Sequence, residues 1–290
     1  MANFNTLNTM PPSLAVPKFI KNTAKGIQFI SNHLAMRFSG KLFMTPVNFQ
    51  VPEREKFMWK SAQKKRVKIN ALNKEIDVLT YGYSPKKVLL VHGWCGRSTQ
   101  LFMIADKLLE KGFMVVSFDG PAHGKSEGKQ TNMLEFIATI MQLSEEFGPF
   151  ESAVGHSFGG MTLYNVANEI GLKNFVSIGA GDKVSTIINN FTTNIGLQPK
   201  IGKKLYHHFN KKMKLTADDY ASSVKAKAIK TPVLVVHDAN DGDVAVSCAI
   251  NIRQNLQNGS LLITNGLGHT KILRDKTTMN TVANFIINNL

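Results

Sequence analysis

A chain of 290 residues with 43% apolar and 19% charged residues can bury a sizeable core, and this composition excludes a disordered, collagen-like or disulfide-scaffolded protein. Lys and Arg outnumber Asp and Glu by 35 to 20, giving a net charge of +15 and a pI near 9.8, an excess that attracts phosphate backbones, anionic headgroups or acidic substrates without choosing among them. Two cysteines, Cys95 and Cys248, make no disulfide framework, and neither a signal-peptide pattern nor eighteen apolar residues in a row is found, so a cytoplasmic protein is expected.

Residues 1–60 read as a helical, basic N-terminal extension, of which Met1 to Pro17 is polar and loop-like. Ile20, Ile27, Ile30, Leu34 and Phe38 fall near one helical face, with Lys18, Lys21, Lys25, Arg37 and Lys41 supplying charge. Docking of that face on the rest of the protein is the ordinary expectation, and weak contact with an anionic membrane the alternative. From about Val67 onward, Val/Ile/Leu-rich runs alternate with stretches of helical periodicity, the pattern of a mainly parallel sheet wrapped by helices. Strands are expected at Val67–Ile69, Ile76–Tyr81, Val88–His92, Met114–Asp119, Ser152–His156, Phe175–Ile178, Val233–His237 and Leu261–Thr264. Helices are expected at Leu101–Glu110, Met133–Phe147, Met161–Ile170, Val246–Leu256 and Thr278–Leu290. One α/β domain over 61–290 follows, with a polar, basic lid inserted at about 183–224, where a crossover is normally short.

The strand ending at Val154 runs into Gly155-His156-Ser157-Phe158-Gly159-Gly160 and then a helix, the setting a G-x-S-x-G elbow requires. Flanking glycines admit a turn too tight for a Cβ, so that Ser157 holds a strained conformation with its hydroxyl presented. A serine hydroxyl is a weak nucleophile and needs a base, which in turn needs a third group to fix its tautomer. Two later strand ends offer these partners: Asp238-Ala239-Asn240-Asp241-Gly242-Asp243-Val244, and Asn265-Gly266-Leu267-Gly268-His269. Carboxyl ends of strands are where open α/β sheets place their sites.

With the His92-Gly93-Trp94 turn, the Asp119-to-Ser126 segment, the elbow and the two loops in one order, the sequence resembles the α/β-hydrolase superfamily across roughly Ile76 to Leu290. The resemblance implies an eight-stranded, mainly parallel sheet with flanking helices, a helical lid, and Ser157, Asp241 and His269 as a catalytic triad, with Asp238 and Asp243 as rivals for the acid. It implies an oxyanion hole from the amides of Phe158 and Trp94, with Cys95 as the alternative second donor. It gives Asp119 and His123 a structural role in a rigid turn, and a serine rather than an aspartate at the elbow argues against the dehalogenase and epoxide hydrolase branches. His156 reads as a packed residue, and His207-His208 lacks ligands at metal spacing, so no metal and no cofactor are expected.

The leading expectation is a serine hydrolase cleaving a carboxylic ester or similar acyl bond of a small-molecule substrate through an acyl-enzyme. Thioesterase and acyltransferase chemistry use the same residues, because the lid and pocket decide substrate. Lys200, Lys203, Lys204, Lys211, Lys212 and Lys214 in the lid raise the further expectation of an anionic substrate or carrier. A slow or inactive hydrolase serving as a small-molecule sensor is the second class. No specific nucleic-acid reader is expected, since the lysines lack an aromatic platform or zinc-knuckle spacing.

Overall fold

The computed structural model describes residues 10–13 and 15–290; residues 1–9 and Leu14, part of the segment read as polar and loop-like, lie outside the described residues. Eight strands run β1 Gln63–Ile69, β2 Lys74–Tyr81, β3 Lys87–Val91, β4 Met114–Phe118, β5 Ser152–His156, β6 Asn174–Ile178, β7 Val233–Asp238 and β8 Gly259–Thr264. Helices α1 Lys18–Ile30, α2 Asn32–Phe43 and α3 Lys56–Ser61 precede the sheet. Between strands come α4 Phe102–Glu110, α5 Met133–Phe147, α6 Phe158–Tyr164, α7 Val184–Asn194, α8 Pro199–Met213, α9 Ser222–Ala226 and α10 Val246–Asn255. The short α11 Gly268–Lys271 and α12 Lys276–Asn288 close the chain.

All eight strands form one sheet in the order β1-β2-β4-β3-β5-β6-β7-β8. β1 and β2 are antiparallel, as are β2 and β4, and every later pairing is parallel. The central strands β5, β6 and β7 are buried throughout, as a sheet covered on both faces demands. One face packs on α5, α6 and α10 through Phe136, Ile140, Leu143, Met161 and Ile252. The other packs on α4 and α12 through Ile104, Leu108, Val282 and Ile286. The order in which strands are added reverses at β3, which has β4 on one side and β5 on the other, so the loops leaving the parallel β3 and β5 diverge and leave a crevice at their carboxyl ends.

Several element ends shift from the sequence expectation, β1 starting at Gln63 rather than Val67 among them, and two differences bear on the packing. The helix placed at Met161–Ile170 starts at Phe158 and ends at Tyr164, where Asn165 turns its side-chain amide onto the Met161 carbonyl at 3.0 Å and the chain continues in turns. The N-terminal extension is not one helix. Ser31 is extended (φ −158°, ψ 123°) and its hydroxyl accepts from the Leu34 amide at 3.4 Å, ending α1 and capping α2. The break takes Ile30 and Leu34 out of the packed face: both are exposed, whereas Ala24 is buried and Ile27 half-buried.

The hairpin α1–α2 packs with α7 and α8 into a third apolar cluster, separate from the two on the sheet, built from Ala24, Ala35, Met36, Ile188, Ile201, Leu205 and Phe209. Close approach of α2 to α8 is possible because Gly40 lies against Leu205 and Phe209. Among the described residues no helix is long and apolar enough to cross a membrane.

Candidate active site

Ser157 sits between β5 and α6 with φ 53° and ψ −116°, a region disfavoured for any residue with a Cβ. The turn is enforced by its neighbours. A Cβ on Gly155 would come within 2.7 Å of the Gly159 backbone, and one on Gly159 would collide with the carbonyls of Val91 and His92. The Ser157 amide donates to the Ile178 carbonyl at 2.8 Å, which pins the elbow to the end of β6.

His269 and Asp241 are joined directly: the His269 Nδ1–H donates to Asp241 Oδ2 at 2.7 Å. A carboxylate can only accept, so this bond fixes the tautomer that leaves Nε2 as a base. Asp241 Oδ1 accepts from the amides of Asp243 at 2.8 Å and Val244 at 2.9 Å. Burial works to raise the Asp241 carboxyl, but His269, the Val244 amide and His237 outweigh it and hold the group below the ordinary carboxylate range. The rivals are occupied elsewhere. Asp238 accepts from Thr264, Leu267 and Asn240, tying two loops together, and the Asp243 carboxylate accepts from the Ser13 amide at 2.9 Å. Among the described residues Ser157 Oγ makes no hydrogen bond to His269; its neighbour His156 has its ring 4.7 Å from the His269 ring.

The amides named for an oxyanion hole are separated by the structure. The Cys95 amide donates to His123 Nε2 at 3.1 Å and is thereby spent. Among the described residues neither the Trp94 nor the Phe158 amide has a protein acceptor. Their rings meet edge to face at 5.4 Å, and a Cβ on the adjoining Gly93 would stand 3.1 Å from the Ser157 Cβ. The Cys95 thiol is half-buried, accepts from the Val47 amide at 3.2 Å and is pushed up by burial, so it is a packed thiol rather than a reactive one.

Several supporting contacts were not read from sequence, those of Glu55, Arg97, Thr99, Gln100 and His237 among them. Arg97 forks onto Glu55 at 2.7 and 3.2 Å, and Thr99 adds a third bond at 2.8 Å, anchoring the loop after β3 to the extension. Gln100 accepts from the Gly93 amide at 3.0 Å. His156, fully buried and lowered to about 3 by that burial, is neutral; its Nε2–H donates to the His269 carbonyl at 3.0 Å. His237 donates to the Val244 carbonyl at 2.9 Å and lies 3.5 Å from Asp241 Oδ2, bracing the acid loop. Asp119 accepts from Ser98 and Lys125 amides and His123 bonds Pro121, the structural part expected of them.

One group of possible metal ligands lies here, Asp241, Asp243 and His269 with donor atoms within 4.8 Å. Its carboxylates accept from His269 and from three backbone amides, so each already has protein partners that hold it in place.

Above Ser157 opens a cavity of about 690 Å³. Its walls are mostly apolar: Trp94 and Phe158 near the serine, Met133 and Met161 at the side, Ile188 and Phe191 of α7, Phe209 and Met213 of α8, and Phe43 and Met44 at the end of α2. None of Lys200, Lys203, Lys204, Lys211, Lys212 and Lys214 lines it. The expectation that they receive an anionic substrate is therefore not met by the geometry: α8 turns Ile201, Leu205 and Phe209 inward and these lysines outward.

The sequence profile described as the alpha/beta hydrolase fold matches residues 86–217, and that of a TAP-like protein matches 199–289. The chain belongs to the α/β-hydrolase superfamily. Its fold is similar to that of an esterase of Pyrococcus furiosus (17% identical, TM-score 0.64, covering 84% of this chain and 98% of the other). It is also similar to an esterase of Exiguobacterium antarcticum (16%, 0.61, 78% and 100%) and to a thioesterase domain from the curacin biosynthetic pathway (17%, 0.58, 78% and 99%). At such identities the likeness establishes the fold. No curated protein matches by sequence.

Proposed function

We propose that the protein is a serine hydrolase that cleaves a carboxylic ester with a long apolar acyl chain. The observation that carries this reading is a serine held at positive φ on the wall of an apolar cavity, next in sequence to His156, whose ring lies 4.7 Å from that of His269, itself hydrogen-bonded to Asp241. Ser157 Oγ attacks the ester carbonyl while His269 Nε2 takes its proton, and the tetrahedral oxyanion accepts from the Phe158 and Trp94 amides. Collapse expels the alcohol, which takes the proton from His269. Water, deprotonated by the same nitrogen, then attacks the acyl-enzyme and releases the acid with Ser157 restored. Catalytic hydrogen bonds often tighten only in the substrate complex, and the Ser157–His269 contact is expected to form there. Helices α7 and α8 act as the lid.

Support for the long chain comes from the cavity's size and its apolar lining, while thioester and acyl-transfer chemistry would use the same groups. The test is labelling by a fluorophosphonate probe with mapping of the adduct, alongside p-nitrophenyl esters of increasing chain length. Adduct on Ser157 and a rate that climbs with chain length support the reading; labelling that persists in Ser157→Ala, or a preference for acetate, overturns it. The second reading, a slow hydrolase used as a ligand sensor, would use the same apolar cavity. Saturable binding of a fatty acid without ester turnover would select it.

A further inference from the structure

The charge of this protein is not spread evenly. Residues 1–52 contain five Lys and Arg and no Asp or Glu, and residues 183–217 contain seven lysines and again no acid. The rest of the chain has 23 basic against 20 acidic residues and is close to neutral. These two segments, far apart in sequence, are packed together as the α1–α2 hairpin on α7 and α8. The Gln198 amide donates to Gln28 at 3.1 Å, and Gly196 lies against the Lys25 side chain, so α1 runs beside the entry to α8. Nearly all the excess charge therefore sits on one structural unit, above the cavity.

That unit also carries Phe29, the most exposed large apolar side chain of the described residues, and three others that are more than half exposed. Phe29 is 94% exposed, Ile30 78%, Phe19 67% and Leu34 51%. At 100° per residue, Phe19, Gly26 and Ile30 fall within roughly 40° of one another on α1, on the side away from buried Ala24. Phe29, Ile30 and Leu34 crowd the corner where Ser31 breaks the hairpin. Lys18 and Lys25 are exposed beside this strip, and α8 presents exposed Lys200, Lys203, Lys204 and Lys211, with Lys214 at its cap, while burying Ile201, Leu205 and Phe209. An apolar strip bordered by cations and free of acids matches a bilayer with anionic headgroups, where rings and aliphatic chains enter the acyl boundary and ammonium groups meet phosphates. Aliphatic Ile30 and Leu34 offer no stacking surface to a nucleic acid.

We propose that the α1–α2 hairpin and the outer face of α8 seat the protein on an anionic lipid bilayer. This rests on the hydrolase reading only in its consequence: Phe43 of the hairpin and Phe209 and Met213 of α8 line the acyl cavity from within, so the seated unit is also its wall, and the ester is drawn from the membrane.

The experiment is co-sedimentation of the full chain with vesicles of phosphatidylcholine alone and of equimolar phosphatidylcholine and phosphatidylglycerol. The variants are Phe29→Ser/Ile30→Ser, Lys200→Gln/Lys203→Gln/Lys204→Gln and Ser157→Ala, each checked by circular dichroism and by hydrolysis of a soluble short-chain ester. Binding to the anionic vesicles only, weakened at least about tenfold by each of the first two variants and by high salt, with short-chain hydrolysis unchanged, is the expected result. Ser157→Ala should bind like the parent, which separates the two readings: vesicle binding without hydrolysis keeps the surface and sinks the hydrolase, and hydrolysis without binding does the reverse. Equal binding by the parent and the surface variants overturns the proposal, as does retention on a single-stranded oligonucleotide with none on vesicles.

Discussion

Asp241 illustrates how one carboxylate is made fit for a single partner. Two amides saturate Oδ1 and leave Oδ2 for His269, with His237 behind it. Asp241→Asn would keep the shape but offer the wrong hydrogen-bond pattern to the imidazole, and kcat/KM for a long-chain ester is expected to fall roughly 10³–10⁴-fold with the fold retained. A change under tenfold would show that Asp241 does not orient the base. Because its folded carboxyl is depressed, its contribution to stability is present above the ordinary carboxylate value of 3.8 and is lost only as pH falls through the depressed one. Glu55 is a second case. Its side chain is 3% exposed and answers the partly exposed Arg97, so Glu55→Ala leaves that guanidinium and the Thr99 hydroxyl without their acceptor, and urea melts should register a loss of about 1–3 kcal/mol. The placing of Ser157 on a strained elbow and of His269 against a carboxylate was legible in sequence because the elbow and the glycine-rich histidine loop are local patterns. The Glu55–Arg97 pair and the His156–His269 bond were not, since their partners lie 42 and 113 residues apart.

At the scale of elements, the eight strands announced themselves as short β-branched runs, and the observed strands fall at each of the expected places. Short buried strands are punctuated by turns, so their position is fixed by composition alone. The hairpin was harder to read: helical periodicity runs through Ser31, and only the extended Ser31 backbone and its cap divide it. Which apolar residues face inward then depends on α7 and α8, which nothing local reveals. Phe43 meets Phe191 edge to face at 5.2 Å and Phe209 at 6.0 Å, at the junction of these elements. Phe43→Ala should destabilise that cluster by about 3 kcal/mol, and by enlarging the cavity should move the preferred ester toward longer or branched chains. A chain-length profile identical to the parent's would mean that α2 does not bound the acyl site.

For the whole molecule, acid sensitivity follows from histidines the core has taken in. His92 is lowered to about 4, and His123 and His156 to about 3, in each case chiefly by burial. They stay neutral in the fold at pH values where the unfolded chain protonates them. The unfolded state thus binds more protons between the ordinary 6.5 and these depressed values, and stability is lost as pH falls through that window. Each contributes a slope of about 1.4 kcal/mol per pH unit, so the urea midpoint should drop steadily on acidification; a flat profile would show these imidazoles to be solvated.

The third apolar cluster joins α2 to residues that lie about 160 positions later, at Ile201 to Phe209. On a ribosome adding roughly 5–20 residues per second, the hairpin emerges on the order of 10–30 s before the helices that cover its inner face exist. Over that interval Ala35, Met36 and Phe43 have no partner, and the nascent chain offers a cationic apolar arm to whatever is near, a chaperone or a lipid surface. Stalled chains ending before α7 should lose the arm to protease readily, and those extended past α8 should keep it. Equal sensitivity in both would mean that the arm is satisfied earlier than the finished fold suggests.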